Sequence, residues 1–401
     1  MKRRDFLTRS ALTAAGSLLV PQFLKAFETN QLGQNALGSK KLVVVQLSGG
    51  NDGLNTVVPF RNDIYYRERP SIAIAVDKVL KINDEIGFNP ALEKLKNLYD
   101  NGLVTVINNV GYPNPDRSHF RSMDIWQTGS GADEYLSSGW IGRYLDAHCA
   151  GKACSPHAAL EIDDTLSLAM KGQKANGLAL QNPEKLFRQT QNGVVQAMAK
   201  NQPVSDHENV AYLYKTLAET VSSADYVYSK SKVYQSRMLY PSSELGKSLK
   251  TIAELIISGV NTSVYYVSLS GFDTHIRQND QQDRLLRQYA EAMSVFVNDL
   301  KANGQLEDTL VMTFSEFGRR VKQNASNGTD HGTANNLFLI GGTPRTRPVF
   351  NEAPDLANLD NGDLRFQVDF RQIYATLLDN WLKTSSEAVL GKKFSGLNSI
   401  F

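Results

Sequence analysis

Residues 41–53 read Lys41-Leu42-Val43-Val44-Val45-Gln46-Leu47-Ser48-Gly49-Gly50-Asn51-Asp52-Gly53. A short, β-branched apolar run without polar alternation fits a strand buried on both faces, here over 41–47. A Ser-Gly-Gly turn ends it and sets an acid, Asp52, just past the strand. Similar runs follow at 103–108 (LVTVIN), 264–269 (VYYVSL), 309–314 (TLVMTF) and 336–340 (NLFLI). Helical patterns lie between them at 91–99, 118–127, most of 183–260, 280–302 and 370–382. This alternation predicts an α/β fold, a mostly parallel central sheet with helices on both faces. In such sheets ligands sit where loops leave the carboxyl ends of the strands.

Composition sets the outer bounds. The chain has 401 residues, 43 Lys+Arg against 41 Asp+Glu, 41% hydrophobic residues and two cysteines. That is enough for one large domain or two, and a charged fraction of 21% excludes wholesale disorder. A net charge of +2 argues against nucleic acid as a partner. Cys149 and Cys154 cannot make a four-thiolate zinc site, but in an oxidising compartment they could form a small local disulfide or stay as free thiols. No internal repeat or low-complexity tract is present.

The N-terminus reads as an address. Arg3-Arg4-Asp5-Phe6-Leu7 matches the twin-arginine export pattern, and a weakly apolar stretch follows. Gly16 and Pro21 interrupt that stretch, which disfavours a membrane anchor. We expect a signal peptide over 1–26 and a polar linker over 27–39. A single domain follows over 40–401, with a helical insertion at about 183–260. Removing 1–26 takes away five Lys/Arg and one Asp, which turns the net charge from +2 to −2. The expected mature protein is periplasmic or extracellular, without a stable membrane span, and its first partner is the twin-arginine export machinery.

The strand ends carry chemistry. Beyond Asp52, strand 264–269 runs into Asp273-Thr274-His275, and strand 309–314 runs into Ser315-Glu316-Phe317-Gly318-Arg319. A fourth loop, Thr329-Asp330-His331-Gly332, precedes strand 336–340. Each has an ordinary reading: a turn at Asn51-Asp52-Gly53, a helix cap at Asp273, an ion pair between Glu316 and Arg319 or Arg320, a polar surface loop at Asp330. Together they crowd carboxylates at one sheet edge, which repel unless a cation neutralises them. A mixed Asp/Glu/His set suits zinc, manganese or iron. Asp273 and His275, two apart, share one face of an extended segment. Asp330 and His331 point apart in a strand, so either a turn brings both to the ion or one supports the other. Ser118 and His119 stand at a helix start, where an anion binds and a nucleophile is activated, although Ser118 could be only a cap. His148, His157 and His207 read as structural or surface residues.

These motifs, with Leu47–Asn55, Ser118-His119-Phe120 and the Val389-Leu390-Gly391 tail, resemble a bacterial family of unknown function, domain family 1501. That family looks like a distant branch of the alkaline phosphatase/sulfatase superfamily. The resemblance implies one or two divalent ions, the first held by Asp273, His275 and His331 and, where there are two, the second by Asp52 and Glu316. Zinc or manganese is the expected metal. It places the nucleophile at Ser118 or His119, with Arg319 on an anionic oxygen of the substrate. The sequence departs from the superfamily pattern where Ser315-Glu316 replaces an Asp-His pair. No Cys stands at the nucleophile position, which argues against a formylglycine sulfatase. The expected function is an exported metal-dependent hydrolase of a small-molecule or polymer-borne anionic ester, phosphate or sulfate. The alternatives are a non-catalytic exported binding or assembly protein that keeps the fold, and a mutase or transferase on the same scaffold.

Overall fold

The run Lys41–Ser48 forms β1, near the centre of an eight-stranded sheet in the computed structural model, which describes residues 39–149, 154–200, 208–342, 348–398 and 400. The expected signal peptide lies outside these residues, as does His207. The other strands are β2 (Val104–Gly111), β3 (Ala159–Glu161), β4 (Leu178–Ala179), β5 (Val264–Ser270), β6 (Thr309–Phe314), β7 (Asn335–Gly341) and β8 (Val368–Asp369). Their order is β8-β2-β7-β6-β1-β5-β3-β4. β1 pairs in parallel with β5 and β6, β3 with β5 and β4, and β8 with β2. β7 alone runs against its neighbours, antiparallel to both β6 and β2. A parallel return needs a crossover, usually a helix. Residues 315–334 contain no helix, so the chain stays at one edge of the sheet and the next strand comes back the other way.

The helices used below are α1 (Glu93–Asp100), α2 (His119–Thr128), α3 (Trp140–His148), α4 (Pro183–Thr190), α5 (Gly193–Lys200), α6 (Glu208–Ser231), α7 (Glu244–Ile257), α8 (Gln278–Ala302) and α9 (Phe370–Thr376). Side chains alternate across a strand, so β1 and β6 each serve two cores. Val43, Val45 and Val311 join a cluster with Leu249 and Ile252 of α7 and Leu285, Met293 and Phe296 of α8. Tyr289 of α8 donates its hydroxyl to Thr313 Oγ1 on the same side, at 2.8 Å. Phe314 points the other way and stacks on Trp126 of α2, which also stacks on Phe370 at the start of α9. Helices thus cover both faces of the sheet. The segment 183–260 folds as α4 to α7, and α7 belongs to the main core.

The predicted element positions hold to within a few residues. Helix 370–382 divides into α9 and a π-helical turn, Leu377–Trp381. The short strands β3, β4 and β8 carry too little periodicity to be read from sequence, and helix α3 lies outside the expected elements. Cys149 and Cys154 are joined in a disulfide. No helix of the described residues is long and apolar enough to cross a membrane.

Glu161, at the end of β3, is buried with its Oε2 accepting the Ser167 N–H at 2.7 Å. Burial pushes its carboxyl up to about 7, from an ordinary value of 4.5. The folded state therefore favours the neutral acid. Its stabilising contribution is full below about pH 4.5 and is lost as pH rises towards 7. Urea unfolding across this window should show Glu161→Gln losing less stability than wild type, by on the order of 3 kcal/mol.

Candidate metal centre

β1, β5 and β6 are parallel, so their exits share one edge, and antiparallel β7 starts at that same edge. All four chemistry-bearing loops therefore meet there. Backbone ladders fix them to one another. Gly332 donates to the Gly318 carbonyl at 2.9 Å and Arg320 to the Asp330 carbonyl at 3.0 Å, which sets His331 beside Arg319. Gln278 donates to the Asn327 carbonyl at 2.9 Å and ties the loop of 326–329 to the start of α8. Gly49 sits at φ +117°, and a Cβ there would come within 2.5 Å of the Asp273 nitrogen. Only glycine lets the first loop approach the second this closely.

At the centre, Asp273 Oδ1, His275 Nε2 and His331 Nε2 lie 3.0–3.2 Å from one another. The outer ring nitrogens define the tautomers. His331 Nδ1 lies 2.8 Å from the Arg117 carbonyl, which can only accept, so Nδ1 carries the proton. His275 Nδ1 lies 3.2 Å from Asp330 Oδ1 and donates in the same way. With both rings neutral, each Nε2 lone pair faces a carboxylate oxygen and the other ring. Three acceptors this close repel unless a cation lies among them. Three ligands at a tetrahedral ion with bonds of about 2.0–2.1 Å would be separated by roughly 3.3 Å, so the set fits a transition metal. Burial pushes the Asp273 carboxyl up, but the Arg319 guanidinium 2.6 Å away, His331 and His275 together outweigh it, and the pKa falls to about 2. Burial lowers the pKa of His331 and favours the neutral ligand form.

His119 opens α2 and faces this cluster. Its ligand atom, with those of Asp273 and His331, falls within a 4.8 Å group. Its Nε2 is buried, 3.5 Å from Asp273 Oδ2, and has no hydrogen-bond partner among the described residues. Its Nδ1 lies 2.9 Å from Glu316 Oε1, which also accepts the Gly49 N–H at 2.8 Å. An oxygen that accepts from a backbone amide is an acceptor, so His119 donates from Nδ1. The bond to Glu316 raises the pKa of His119 above its ordinary value. The Phe317 ring packs 4.8 Å from both His119 and His331.

Several expected roles change. Asp52 is no ligand: it is buried, its Oδ1 accepts the Leu54 N–H and its Oδ2 holds Arg69 Nη1 and Gln278 Nε2, each at 2.5 Å. Arg69 in turn donates to the Val321 and Arg320 carbonyls. A guanidinium thus neutralises Asp52, where a second ion was expected. Glu316 is buried behind His119 and turned away from the three ligands. Asp330 also stands behind a ligand, its Oδ1 shared by His275 and Asn324. Arg319 is buried and donates to the carbonyls of Gly49, Gly50, Phe272 and Thr329 as well as to Asp273, so it holds loops and a ligand and cannot reach a substrate. Ser118 is exposed, and its side chain makes no cap bond to α2. Arg69 was not found by sequence reasoning, since nothing in Tyr66-Arg67-Glu68-Arg69-Pro70 sets it apart from the surface charges beside it.

A family model described as "Protein of unknown function (DUF1501)" matches residues 39–380. No curated protein matches the sequence. Among solved structures, the chain is similar to the C-terminal periplasmic domain of EcEptC from Escherichia coli in complex with Zn, at 12% identity and TM-score 0.37, covering 76% of this chain and 73% of that one. It is also similar to the lipoteichoic acid synthase LtaP from Listeria monocytogenes, at 10% identity and TM-score 0.31, covering 78% and 68%. A third similar structure is a protein of the alkaline phosphatase superfamily from Vibrio parahaemolyticus, at 8% identity and TM-score 0.31, covering 79% and 63%.

Removing the Asp52 carboxylate leaves the Arg69 charge buried and unpaired. Asp52→Ala should cost about 3–5 kcal/mol in chemical unfolding. Its metal content by elemental analysis should equal that of wild type, because Asp52 does not reach the cluster.

Proposed function

The chain belongs to the DUF1501 family, and from the site we propose that it is an exported, metal-dependent hydrolase of phosphate or sulfate esters. One observation carries the reading: Asp273 Oδ1 and two imidazole Nε2 atoms converge to within 3.2 Å of one another. Asp273, His275 and His331 hold one divalent ion, zinc or manganese, and the pairing of Asp52 with Arg69 supports one ion over two. When bound, the metal polarises an ester oxygen as a Lewis acid. Asp330 and the Arg117 carbonyl hold the two ligand rings in the correct tautomer. His119 supplies the acid–base group. Glu316 fixes its Nδ1 proton, so Nε2 faces the reacting atoms and takes the proton of an attacking water. The water oxygen bonds to phosphorus or sulfur, the ester bond to that atom breaks, and the alcohol leaves with a proton. Ser118 lies next to this nitrogen in sequence and is exposed, and no bond to His119 activates it. Arg3 and Arg4 support export by the twin-arginine route, with residues 1–26 removed afterwards.

A second reading, a partner-binding protein, draws support from the helical segment. There Val194, Leu213 and Tyr212 are 68%, 65% and 51% exposed.

Elemental analysis of the exported protein tests the first reading. Wild type should carry about one equivalent of a divalent transition metal, and Asp273→Ala and His331→Ala should lose it. His119→Gln should keep the metal and lose ester hydrolysis by a factor of about 10²–10⁴. A His119→Gln protein that also lost its metal would make His119 a fourth ligand, and a wild type without metal would leave the partner-binding reading. Replacing Arg3 and Arg4 by Lys should hold the uncleaved precursor inside the cell, which immunoblotting of cell fractions would show.

A further inference from the structure

A buried carboxylate far along the chain, Asp363, is linked to His331 through one residue, Arg117. Asp363 belongs to a hairpin in which Leu359–Asp360 pairs antiparallel with Asp363–Leu364. The two-residue turn, Asn361-Gly362, has φ of +53° and +89°, the positive pair that a tight hairpin turn demands. Arg117 Nη2 donates to Asp363 Oδ2, and the Arg117 carbonyl accepts from His331 Nδ1 at 2.8 Å. Arg320, whose N–H donates to the Asp330 carbonyl at 3.0 Å, brings its Nε to 3.7 Å from Asp363 Oδ1. Thr333 Oγ1, two residues past His331, donates to the Leu364 carbonyl at 2.6 Å. The hairpin is thus tied to the chain on either side of His331 and to the carbonyl that meets its ring.

Asp363 is 1% exposed, and its Oδ1 has no hydrogen-bond partner among the described residues. Burying an acid in this way is costly unless a cation answers it. Arg117 supplies that cation from a side chain that is itself 42% exposed. Residues 112–118 are irregular, between β2 and α2, so neither a helix nor a strand sets the direction of the Arg117 carbonyl. The hydroxyls of Tyr112 and Ser122 bond the backbone of Asp116, and the Asp363 pair anchors the residue after it. That direction decides which nitrogen of His331 is free. With the carbonyl in place, Nδ1 carries the proton and the Nε2 lone pair faces Asp273 and His275. With the carbonyl displaced, the tautomer protonated at Nε2 competes, and that tautomer offers no lone pair to the cluster.

We infer that Asp363 is a positioning residue for the metal ligand His331 and acts through the Arg117 carbonyl. The inference rests on the reading of Asp273, His275 and His331 as the ligands of one ion. Asp363 pairs with Arg117 and Arg320 and with no ligand side chain, so its contribution is to keep one imidazole in the tautomer that can bind. Outer partners of this kind change metal affinity by about 10–100-fold when they are removed. Asp363 is one step farther out than the carbonyl itself, so its removal belongs at the lower end of that range.

Titration of the metal-free exported protein with zinc, and with cobalt(II) followed by its visible absorption, tests this without any turnover. Asp363→Asn keeps the size of the side chain, removes its charge and should weaken zinc about tenfold. Its cobalt absorption at saturation should differ from that of wild type, because one ring is less firmly oriented. Arg117→Gln keeps the backbone carbonyl and removes its anchor. That side chain is partly exposed, so the variant should fold, and it should weaken zinc by a similar factor. In the double variant the two losses should not add, because both act on one carbonyl. Asp52→Ala is the control for lost stability: it also breaks a buried pair, and it should keep the zinc affinity and cobalt spectrum of wild type. The inference is overturned if Asp363→Asn or Arg117→Gln binds zinc as tightly as wild type with an unchanged cobalt spectrum. It is equally overturned if Asp52→Ala shifts both as much, or if the losses add in the double variant. A wild type that binds neither ion would remove the centre itself. A wild type that binds zinc beside unaffected variants would keep the centre and remove only the role of Asp363.

Discussion

Three lone-pair acceptors within 3.2 Å of one another are the constraint around which this molecule is arranged. Asp273, His275 and His331 stay in this arrangement only because other groups restrain them. Arg319, anchored to four loop carbonyls, holds the carboxylate. Asp330 and the Arg117 carbonyl hold the two rings. Farther out, the buried Asp52–Arg69 pair grips Gln278 and the Arg320 and Val321 carbonyls, which follow the ligand-bearing loops. The charge density of the centre is balanced by fixed guanidinium groups buried in the protein.

Much of the fold was legible because each long strand is a short β-branched run with a turn behind it. Val43, Val44 and Val45 or Leu310, Val311 and Met312 admit few other readings in a chain of this composition. The direction of β7 was not legible, since an apolar run carries no arrow. It follows from the absence of a helix between Phe314 and Asn335. That reversal matters for the site. A parallel β7 would start at the far edge of the sheet and take His331 away from Asp273.

The candidate ligands were legible as a set, but their ranks were not. Acids and histidines at strand ends mark a centre, yet an acid that touches a metal ion and an acid that orients a histidine are the same residue type in sequence. Glu316 and Asp330 are of the second kind, each facing an imidazole, and Asp52 is of neither, being paired with a guanidinium of the protein. What separates them from Asp273 is a side-chain direction and a partner, such as Arg69, that looks like a surface charge until the loops are folded.

The centre is also a product of distant encounters along the chain. Gly49 meets Glu316 across 267 positions, and Asp52 meets Gln278 across 226. Neither contact can form until the chain has been synthesised past Gln278 or Glu316, and closing such long loops is entropically slow. Before then the three ligands are dispersed and have no common target. An ion held at the proposed centre would bind only the finished state, and its affinity would add to the stability of the entire domain. Metal occupancy would then mark completed folding, made at the last step and withheld from every partly folded form.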